Sequence, residues 1–251
     1  MSSIAEIRYK IRRRWYKMIY RPIRVFVFHH VSDVRDTLVC QDSDWTQLDQ
    51  FKRNIEHLMQ YYTFISLSEA CDKLQHDYFR FRNYAVLTTD DGLASVLNVL
   101  PWLEEKEIPV ALFINSRYME CDKLKPVHQK WLHELAPDAE EKEIAKRMYL
   151  SREQVWSLKS PYIEIGMHGH EHLNITQIDE LQFEKDIAVC YDVLHTHPLF
   201  VSMYAYPWGK STGKSMKYLL LHNIVPVVLR GEGNYAWNGL IDRECIDNKK
   251  F

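Results

Sequence analysis

Short runs of β-branched, aliphatic and aromatic residues recur along the chain, and longer stretches with helical periodicity separate most of them. These runs predict buried strands over residues 25–31, 63–66, 84–89, 109–115, 162–168, 199–206 and 224–229.

Between these runs, apolar residues spaced three or four apart predict helices over residues 48–62, 67–74, 93–107, 151–158, 176–195 and 213–222. Ser151 begins one helix with a capping box, since Gln154 follows three residues later, and Thr176 and Asp179 are the predicted caps of another. Pro101 lies inside the third of these helices, where it is compatible only with a kink or a break.

The alternation of strands and helices indicates βα units around a parallel sheet. An α/β barrel is favoured, because it gathers chemistry at the carboxyl ends of its strands, and an open doubly wound sheet is the alternative. The sequence contains no glycine-rich nucleotide-binding loop. Residues 25–251 are predicted to form one domain, with a helical and charged insertion around residues 117–150.

The composition narrows the functional classes. The 251 residues are 46% hydrophobic, enough for one large core, and the formal net charge of −2 argues against nucleic-acid binding. The five cysteines are odd in number and scattered, which argues against a disulfide framework or a zinc ribbon and predicts reduced thiols in the cytoplasm. No apolar run reaches the length of a membrane span.

Residues 1–24 form a basic amino-terminal segment. Eight basic residues and no acidic one occupy residues 8–24, interleaved with Trp15, Tyr16, Met18 and Ile19. The segment fits either peripheral contact with an anionic membrane or a solvated helix packed on the domain. The apolar run after it lacks the features of a secretory signal, so we expect a cytoplasmic protein that is either free or associated with the inner membrane.

Unusual polar groups follow four of the predicted strands. They are His29–His30, Asp90–Asp91–Gly92, the segment from His168 to His172, and the turn Tyr206–Pro207–Trp208–Gly209. Because the carboxyl ends of all strands in a parallel barrel lie on one face, we expect these groups to converge.

The paired aspartates are the first candidate for chemistry. Adjacent carboxylates at a strand end repel each other unless a cation or a proton neutralises one of them, and Gly92 then allows a sharp turn. The alternative is that Asp91 simply caps the helix that follows.

The histidine segment is the second candidate. His168 and His172 are four residues apart and face the same way on a helical turn or a tight loop, whereas His170 points elsewhere. Two neutral imidazoles and one carboxylate make a three-ligand metal set with positions open for water and substrate, although the same spacing also occurs on solvated helices. Glu171 directly precedes His172, so the pattern is not that of HExxH metalloproteases, and Glu171 is expected to face solvent.

These segments resemble the motifs of the polysaccharide deacetylase, or NodB-homology, family. "AVLTTDDG" resembles the family's "TFDDG" motif, "EIGMHGHEHLNIT" its histidine motif and "YAYPWG" its third motif. "VFHHVSD" resembles the opening motif of members that act on poly-N-acetylglucosamine and related exopolysaccharides. The resemblance extends from about residue 25 to the "LIDREC" stretch near the carboxyl terminus.

The resemblance implies a distorted (β/α)7-type barrel and metal-dependent removal of acetyl groups from an N-acetylated sugar. It assigns Asp91, His168 and His172 as ligands of a divalent cation, zinc in the first place, with cobalt, nickel or iron as alternatives. It assigns Asp90 as the general base that takes a proton from the attacking water and His29 as the general acid that protonates the leaving amine.

The third motif is implied to form a substrate wall from Tyr206, Pro207 and Trp208. A backbone N–H of Tyr206 or a neighbour is the expected donor to the oxyanion. The substrate is expected to be an N-acetylated glycan.

Several positions depart from the family pattern. Gly169 replaces a Ser or Thr that braces the loop, Ala205 replaces an Arg that orients the base, and Trp208 replaces a Tyr. No late histidine is available as the proton donor, so this role depends on His29, with His30 as the fallback on the opposite side of the strand.

Three functions follow from these observations. A carbohydrate N-deacetylase is the favoured one. A carbohydrate-binding protein with a decayed site is suggested by Gly169 and the missing Arg, and a metal-dependent amidase acting on a non-sugar amide would use the same chemistry.

Overall fold

The computed structural model describes residues 21–76 and 82–249. Its strands are β1 (Arg24–Phe28), β2 (His30–Ser32), β3 (Trp45–Gln47), β4 (Thr63–Phe64), β5 (Tyr84–Thr89), β6 (Val110–Ile114), β7 (Ile163–Met167), β8 (Phe200–Ala205), β9 (Val225–Leu229) and β10 (Ile241–Cys245). Its α-helices are α1 (Leu48–Met59), α2 (Leu67–His76), α3 (Leu100–Glu105), α4 (Pro126–Leu135), α5 (Glu141–Met148), α6 (Arg152–Ser157), α7 (Glu180–Leu194) and α8 (Gly213–Leu221).

Seven parallel strands close into a barrel. The strand order is β1, β5, β6, β7, β8, β9 and β10, and β10 pairs again with β1. Phe26 of β1 is in register with Leu87 on one side and with Glu244 on the other, which shows the closure directly. The prediction of a (β/α)7-type barrel is confirmed, and the open-sheet alternative is wrong.

Strand parity divides the apolar side chains into two layers. Alternate residues of the strands, such as Val25, Val86 and Ala111, form an inner cluster together with the apolar face of α2. Their sequence neighbours, such as Phe26 and Leu87, belong to a larger outer cluster shared with the surrounding helices. The alternation continues beyond the last apolar residue of each strand. It therefore determines which polar side chains at the strand ends point into the mouth of the barrel.

Most predicted elements are present, with differences at their ends. The predicted helix over residues 93–107 is interrupted before Pro101: a 3-10 turn (Ala94–Asn98) precedes α3, because proline is tolerated only in the first turn of a helix. The capping box of Ser151 and Gln154 is confirmed. Asp179, and not Thr176, caps α7.

Two strands differ from the sequence pattern. The predicted run over residues 25–31 is split at His29 into β1 and β2. β10 is not predicted, because its sequence "IDREC" carries three charged residues among five. It is nevertheless the strand that closes the barrel.

Residues 117–150 lie outside the βα repeat of the barrel. They contain a 3-10 turn (Tyr118–Glu120), α4 and α5, and they enclose a separate hydrophobic cluster that includes Leu132, Ile144 and Met148. The predicted basic segment falls largely on residues 1–20, outside the described residues. Among the residues that are described, no helix combines the length and the apolar character required to cross a bilayer.

Gly166 of β7 provides a test of the barrel packing. A Cβ at this position would lie 2.5 Å from Cε1 of Phe113, inside the closed sheet. We expect Gly166→Ala to lower the free energy of unfolding by about 1–3 kcal/mol, because the ring of Phe113 must move within a packed interior. Chemical denaturation measures this change.

Gly213→Ala is the matched control, because a Cβ there meets no atom within 4 Å at the start of α8. We expect that variant to be as stable as the parent or slightly more stable. A Gly166→Ala protein that unfolds like the Gly213→Ala protein would contradict the packing of β7 described above.

Candidate active site

The polar groups predicted from four strand ends meet at one face of the barrel. Asp90 and Asp91 follow β5, His168 follows β7, and His172 lies four residues further on. The ligand atoms of Asp91, His168 and His172 all lie within 4.8 Å of one another. The expected convergence is therefore observed.

Asp91 is the centre of this group. Its Oδ1 atom lies 3.3 Å from Nε2 of His168 and 3.2 Å from Nε2 of His172. Asp91 and His172 both adopt left-handed backbone conformations, with φ of 71° and 55°, which turn their side chains toward each other at a cost of about 1–3 kcal/mol each. Asp91 does not cap a helix, since Leu93 precedes the 3-10 turn and provides no side-chain cap.

Both imidazoles turn their Nε2 atoms toward Asp91. Nδ1 of His168 donates a hydrogen bond to the carbonyl oxygen of Ala205 at 2.8 Å, which fixes the ring so that Nε2 faces Asp91. Burial, helped by the nearby Lys125 charge, lowers the pKa of His172 to about 3, so the His172 imidazole is neutral. His170 turns away and contacts Oγ of Ser116 at 2.8 Å, as predicted from its spacing.

The residues fit a divalent cation. Oδ1 of Asp91 is buried and makes no hydrogen bond of acceptable geometry, although two imidazole nitrogens face it. A carboxylate oxygen and two imidazole nitrogens directed at one point are ligand atoms of the kind that a divalent cation takes in proteins. The donor set suits zinc, cobalt, nickel or iron and does not choose among them.

Lys125 brings a buried ammonium group to this centre. Its Nζ atom forms an ion pair with Oδ1 of Asp91, and the residue is 1% exposed. Lys125 directly precedes α4 in the segment of residues 117–150, and its ammonium lies 5.8 Å from the ring centroids of both Tyr118 and Tyr149. Burial opposes the charge on Asp91, but the ammonium of Lys125 outweighs that effect and holds the pKa of Asp91 well below its usual value.

Asp90 has a different partner. The guanidinium of Arg243 donates two hydrogen bonds to its carboxylate, 2.7 Å to Oδ1 and 2.8 Å to Oδ2. Burial alone would raise the pKa of Asp90, but Arg243 overcomes this and lowers it to about 2. Ala205 stands at the position where the family pattern has an arginine that orients the base. Here Arg243 of β10 holds Asp90, and the sequence motifs do not identify this arginine.

His29 is held by the carboxyl-terminal end of the described chain. Its Nδ1 lies 2.5 Å from Oδ2 of Asp247, and its backbone N–H donates to Oδ1 of the same residue at 2.9 Å. Partial burial alone would lower the pKa of His29, but the charge of Asp247, with a smaller effect from Asp90, raises it well above 6.5. Burial lowers the pKa of His30 to about 3, so this fallback residue stays neutral and carries no proton to donate as an imidazolium.

The histidine loop, residues 168–172, is held in place by a carboxylate, and not by a side-chain hydroxyl at position 169. The carboxylate of Asp186, on α7, accepts the backbone N–H groups of His170 at 2.9 Å and Glu171 at 2.7 Å. A Cβ on Gly169, which has φ of +81°, would lie 2.5 Å from Oδ2 of Asp186. Glycine at this position makes room for the carboxylate that braces the loop.

A groove of about 410 Å³ runs beside His172 and is lined by residues including Lys125, Asn174 and Trp208. The ring of Trp208 is half exposed, and its centroid lies 5.1 Å from that of His172. Trp208 reaches this position because its backbone is left-handed, with φ of 61°.

The other two residues of the predicted substrate wall are buried. The Tyr206 hydroxyl lies 3.1 Å from Oγ of Ser215, and the Tyr206 backbone N–H donates to the carbonyl of Val227 at 3.2 Å. The expectation that this N–H donates to an oxyanion is therefore wrong, because the sheet already uses it. Pro207 is also buried, so Trp208 alone of the three presents its side chain to the groove.

Comparisons with known proteins support the family resemblance. A family model described as polysaccharide deacetylase matches residues 81–227, more than half of the chain. The fold is similar to IcaB from Ammonifex degensii, with a TM-score of 0.71 and 18% identity over 91% of this chain and 93% of that one. No curated protein matches the chain by sequence.

Two further structures share the fold. A de-N-acetylase from Aggregatibacter actinomycetemcomitans has a TM-score of 0.67 and 16% identity, covering 91% of this chain and 97% of that one. The deacetylase PplD from Streptococcus pyogenes, determined in complex with acetate, has a TM-score of 0.66 and 16% identity, covering 91% of this chain and 93% of that one.

A divalent cation at Asp91 would compete with Lys125 for the same carboxylate, which gives a measurable prediction. In Lys125→Met the metal-free protein keeps the volume of the side chain but leaves Asp91 buried without its ammonium partner, which costs about 3–5 kcal/mol. We expect a lower melting temperature than the parent in chelator, a larger rise on adding zinc, and a tighter zinc dissociation constant measured by chelator competition.

Lys123→Met is the control, because Lys123 is exposed two residues away. It is expected to match the parent in both stability and zinc affinity. If Lys125→Met bound zinc more weakly than the parent, the two cations would not be competitors and the ion pair with Asp91 would have to assist the metal.

Proposed function

The chain belongs to the polysaccharide deacetylase family, and from that premise we propose that it is a metal-dependent hydrolase that removes N-acetyl groups from an N-acetylated sugar or polysaccharide. The observation that carries the proposal is the separation of two adjacent carboxylates: Asp91 faces His168 and His172, while Asp90 is held apart by Arg243. One carboxylate is thereby available to a cation and the other to a proton.

Asp91, His168 and His172 would hold the divalent cation. When bound, the cation supplies Lewis acidity, which polarises the acetyl carbonyl and makes water more acidic. Neutral imidazoles and an ionised carboxylate are the protonation states that this role requires, and the surroundings of His172 and Asp91 favour them.

Asp90 is the proposed general base. Its low pKa keeps it ionised throughout the physiological range, so it is always free to accept a proton. The same low pKa makes it a weak base, so it depends on a water molecule of increased acidity. Arg243 of β10 bonds to both carboxylate oxygens and so fixes the orientation of the carboxylate that accepts the proton.

His29 is the proposed general acid. Asp247 occupies Nδ1, which leaves Nε2 to donate a proton to the amine as the C–N bond breaks and acetate departs. The raised pKa keeps the imidazole protonated near neutral pH. The mutual effect of His29 and Asp90 on each other's pKa supports their placement in one site.

Trp208 is the proposed sugar platform. Its exposed ring borders the groove beside His172, and apolar faces of sugar rings pack on such side chains. The names of the structural neighbours support an N-acetylated substrate, since one is a de-N-acetylase and another was determined with acetate, the acid that deacetylation releases.

Two alternatives are separated by specific observations. A decayed carbohydrate-binding protein was suggested by Gly169 and by the missing arginine, and the contacts of Asp186 and Arg243 supply both missing functions. An amidase acting on a non-sugar amide would use the same groups, so substrate profiling distinguishes it.

Asp90→Asn tests whether Asp90 serves as the base while Asp91 serves as a metal ligand. We expect zinc content to be unchanged and acetate release from N-acetylated glycans to fall by about 10²–10⁴-fold, because the amide accepts no proton from water. Acetate is measured enzymatically and zinc by elemental analysis. Asp91→Ala is the companion variant and should lose zinc and activity together.

Full activity in Asp90→Asn would refute the base assignment. A parent protein that binds zinc stoichiometrically but releases acetate only from non-sugar amides would favour the amidase. A parent that neither binds zinc nor releases acetate would favour the binding protein.

The pH profile tests His29. A general acid must be protonated, so activity falls as pH rises through its pKa, and the raised pKa of His29 places that alkaline limb well above pH 6.5. In Asp247→Asn the carboxylate charge that raises the pKa is removed, so we expect the alkaline limb of kcat/KM to move to lower pH. Asp192→Asn, on an exposed part of α7, should leave the limb unchanged. An alkaline limb at the same pH in Asp247→Asn would show that another group donates the proton.

A further inference from the structure

Three donors of different chemistry converge at the barrel rim outside the Asp91 centre. β1 and β10 are parallel neighbours with Val27 in register with Cys245, so His29 and Asp247 emerge side by side just beyond the two strands. Nδ1 of His29 lies 2.5 Å from Oδ2 of Asp247, and Sγ of Cys245 lies 3.1 Å from the same oxygen. The ligand atoms of all three residues lie within 4.8 Å of one another.

Cys245 differs from the other four cysteines. Those four, Cys40, Cys71, Cys121 and Cys190, are buried, whereas Cys245 is partly exposed. Burial raises the pKa of Cys71 and of Cys190 to about 12, so these thiols are poor ligands, and the same effect raises the pKa of Cys40 to about 11. Cys245 is thus the thiol that solvent and a dissolved cation reach.

The donor set has a defined chemical preference. A thiolate, an imidazole nitrogen and a carboxylate oxygen are the three ligand types that zinc takes in proteins, and sulfur favours thiophilic cations over magnesium or calcium. The Asp91 centre contains no sulfur. A cation bound at the rim would therefore carry a spectroscopic signature that the Asp91 centre lacks.

We propose that His29, Cys245 and Asp247 form a second site for a thiophilic divalent cation such as Zn²⁺, and that its occupation inhibits the enzyme. Binding releases the proton of the Cys245 thiol and the proton of the His29 imidazolium, and it replaces the hydrogen bond between His29 and Asp247 with two bonds to the cation. A cation bound at Nδ1 leaves His29 as a neutral imidazole, and its remaining Nε2–H is a much weaker acid toward the leaving amine than the imidazolium. The inhibition rests on the function proposed above, whereas the binding does not.

Cobalt titration of the metal-free full chain tests the site without turnover. A thiolate bound to Co²⁺ gives an intense near-ultraviolet charge-transfer band that a site of nitrogen and oxygen ligands does not give. We expect the parent to show this band and to bind two equivalents of cobalt by equilibrium dialysis. Cys245→Ser should lose the band and bind one equivalent, and the control Cys40→Ser, which removes a buried thiol elsewhere, should keep both.

The activity arm uses zinc added beyond the amount that gives maximal acetate release. We expect excess zinc to lower kcat/KM by about 10²-fold in the parent and in Cys40→Ser, since this is the order of the contribution from a general acid. In Cys245→Ser, excess zinc should leave kcat/KM close to the maximal value measured for that variant.

The outcomes separate the two proposals. Absence of the charge-transfer band in the parent, or its persistence in Cys245→Ser, overturns the site. A band lost in Cys245→Ser without any inhibition by excess zinc supports the site and overturns the inhibition. A protein that shows the band and two bound equivalents but releases no acetate supports the site, while the function proposed above fails.

Discussion

Two adjacent carboxylates lie side by side at the end of β5, Asp90 buried and Asp91 partly buried, and the site depends on neutralising each with a different cation. Strand parity carries Asp90 into the barrel mouth, where it meets the guanidinium of Arg243 from β10. The left-handed backbone of Asp91 turns its carboxylate toward Lys125 and the two imidazoles. Without this separation the two charges would repel at contact distance, and one would be protonated and unable to act as a ligand or a base.

The rest of the rim is arranged to keep these partners in place. Of the seven non-glycine residues with positive φ in the described part of the chain, Asp91, His172 and Trp208 lie at the site. Such conformations persist only when surrounding contacts determine them. Asp186 supplies those contacts for the histidine loop, and the segment of residues 117–150 supplies Lys125. Closure of the barrel by β10 brings Arg243 and Asp247 to residues more than 150 positions earlier in the chain.

The sequence predicts the parts of the site that lie close together along the chain. It misses the residues that reach the site only when the chain has folded and the barrel has closed. The apolar runs predict the other six barrel strands, and the spacing of His168 and His172 predicts that they face one cation. β10 escapes detection because three of its five residues are charged and only one of them enters the barrel. Arg243 points into the mouth, whereas Asp242 faces the other side and accepts backbone N–H groups of Arg230 and Glu232, so the strand lacks an apolar pattern. Arg243, Lys125 and Asp186 have no local signal, since each acts through a partner brought close only by the fold. Tyr206 is the opposite case. It belongs to a recognisable motif, but its buried ring stabilises the core and does not line the groove.

The proposed chemistry requires one cation to be bound by Asp91, His168 and His172 and not by Asp90. The most direct measurement is the anomalous diffraction of a crystal grown with one equivalent of zinc, collected at the zinc absorption edge. The predicted result is a peak within bonding distance of Nε2 of His168, Nε2 of His172 and a carboxylate oxygen of Asp91, with Asp90 still paired to Arg243. A peak bound by Asp90 in place of Asp91, or crystals with zinc nowhere near the two imidazoles, would contradict it.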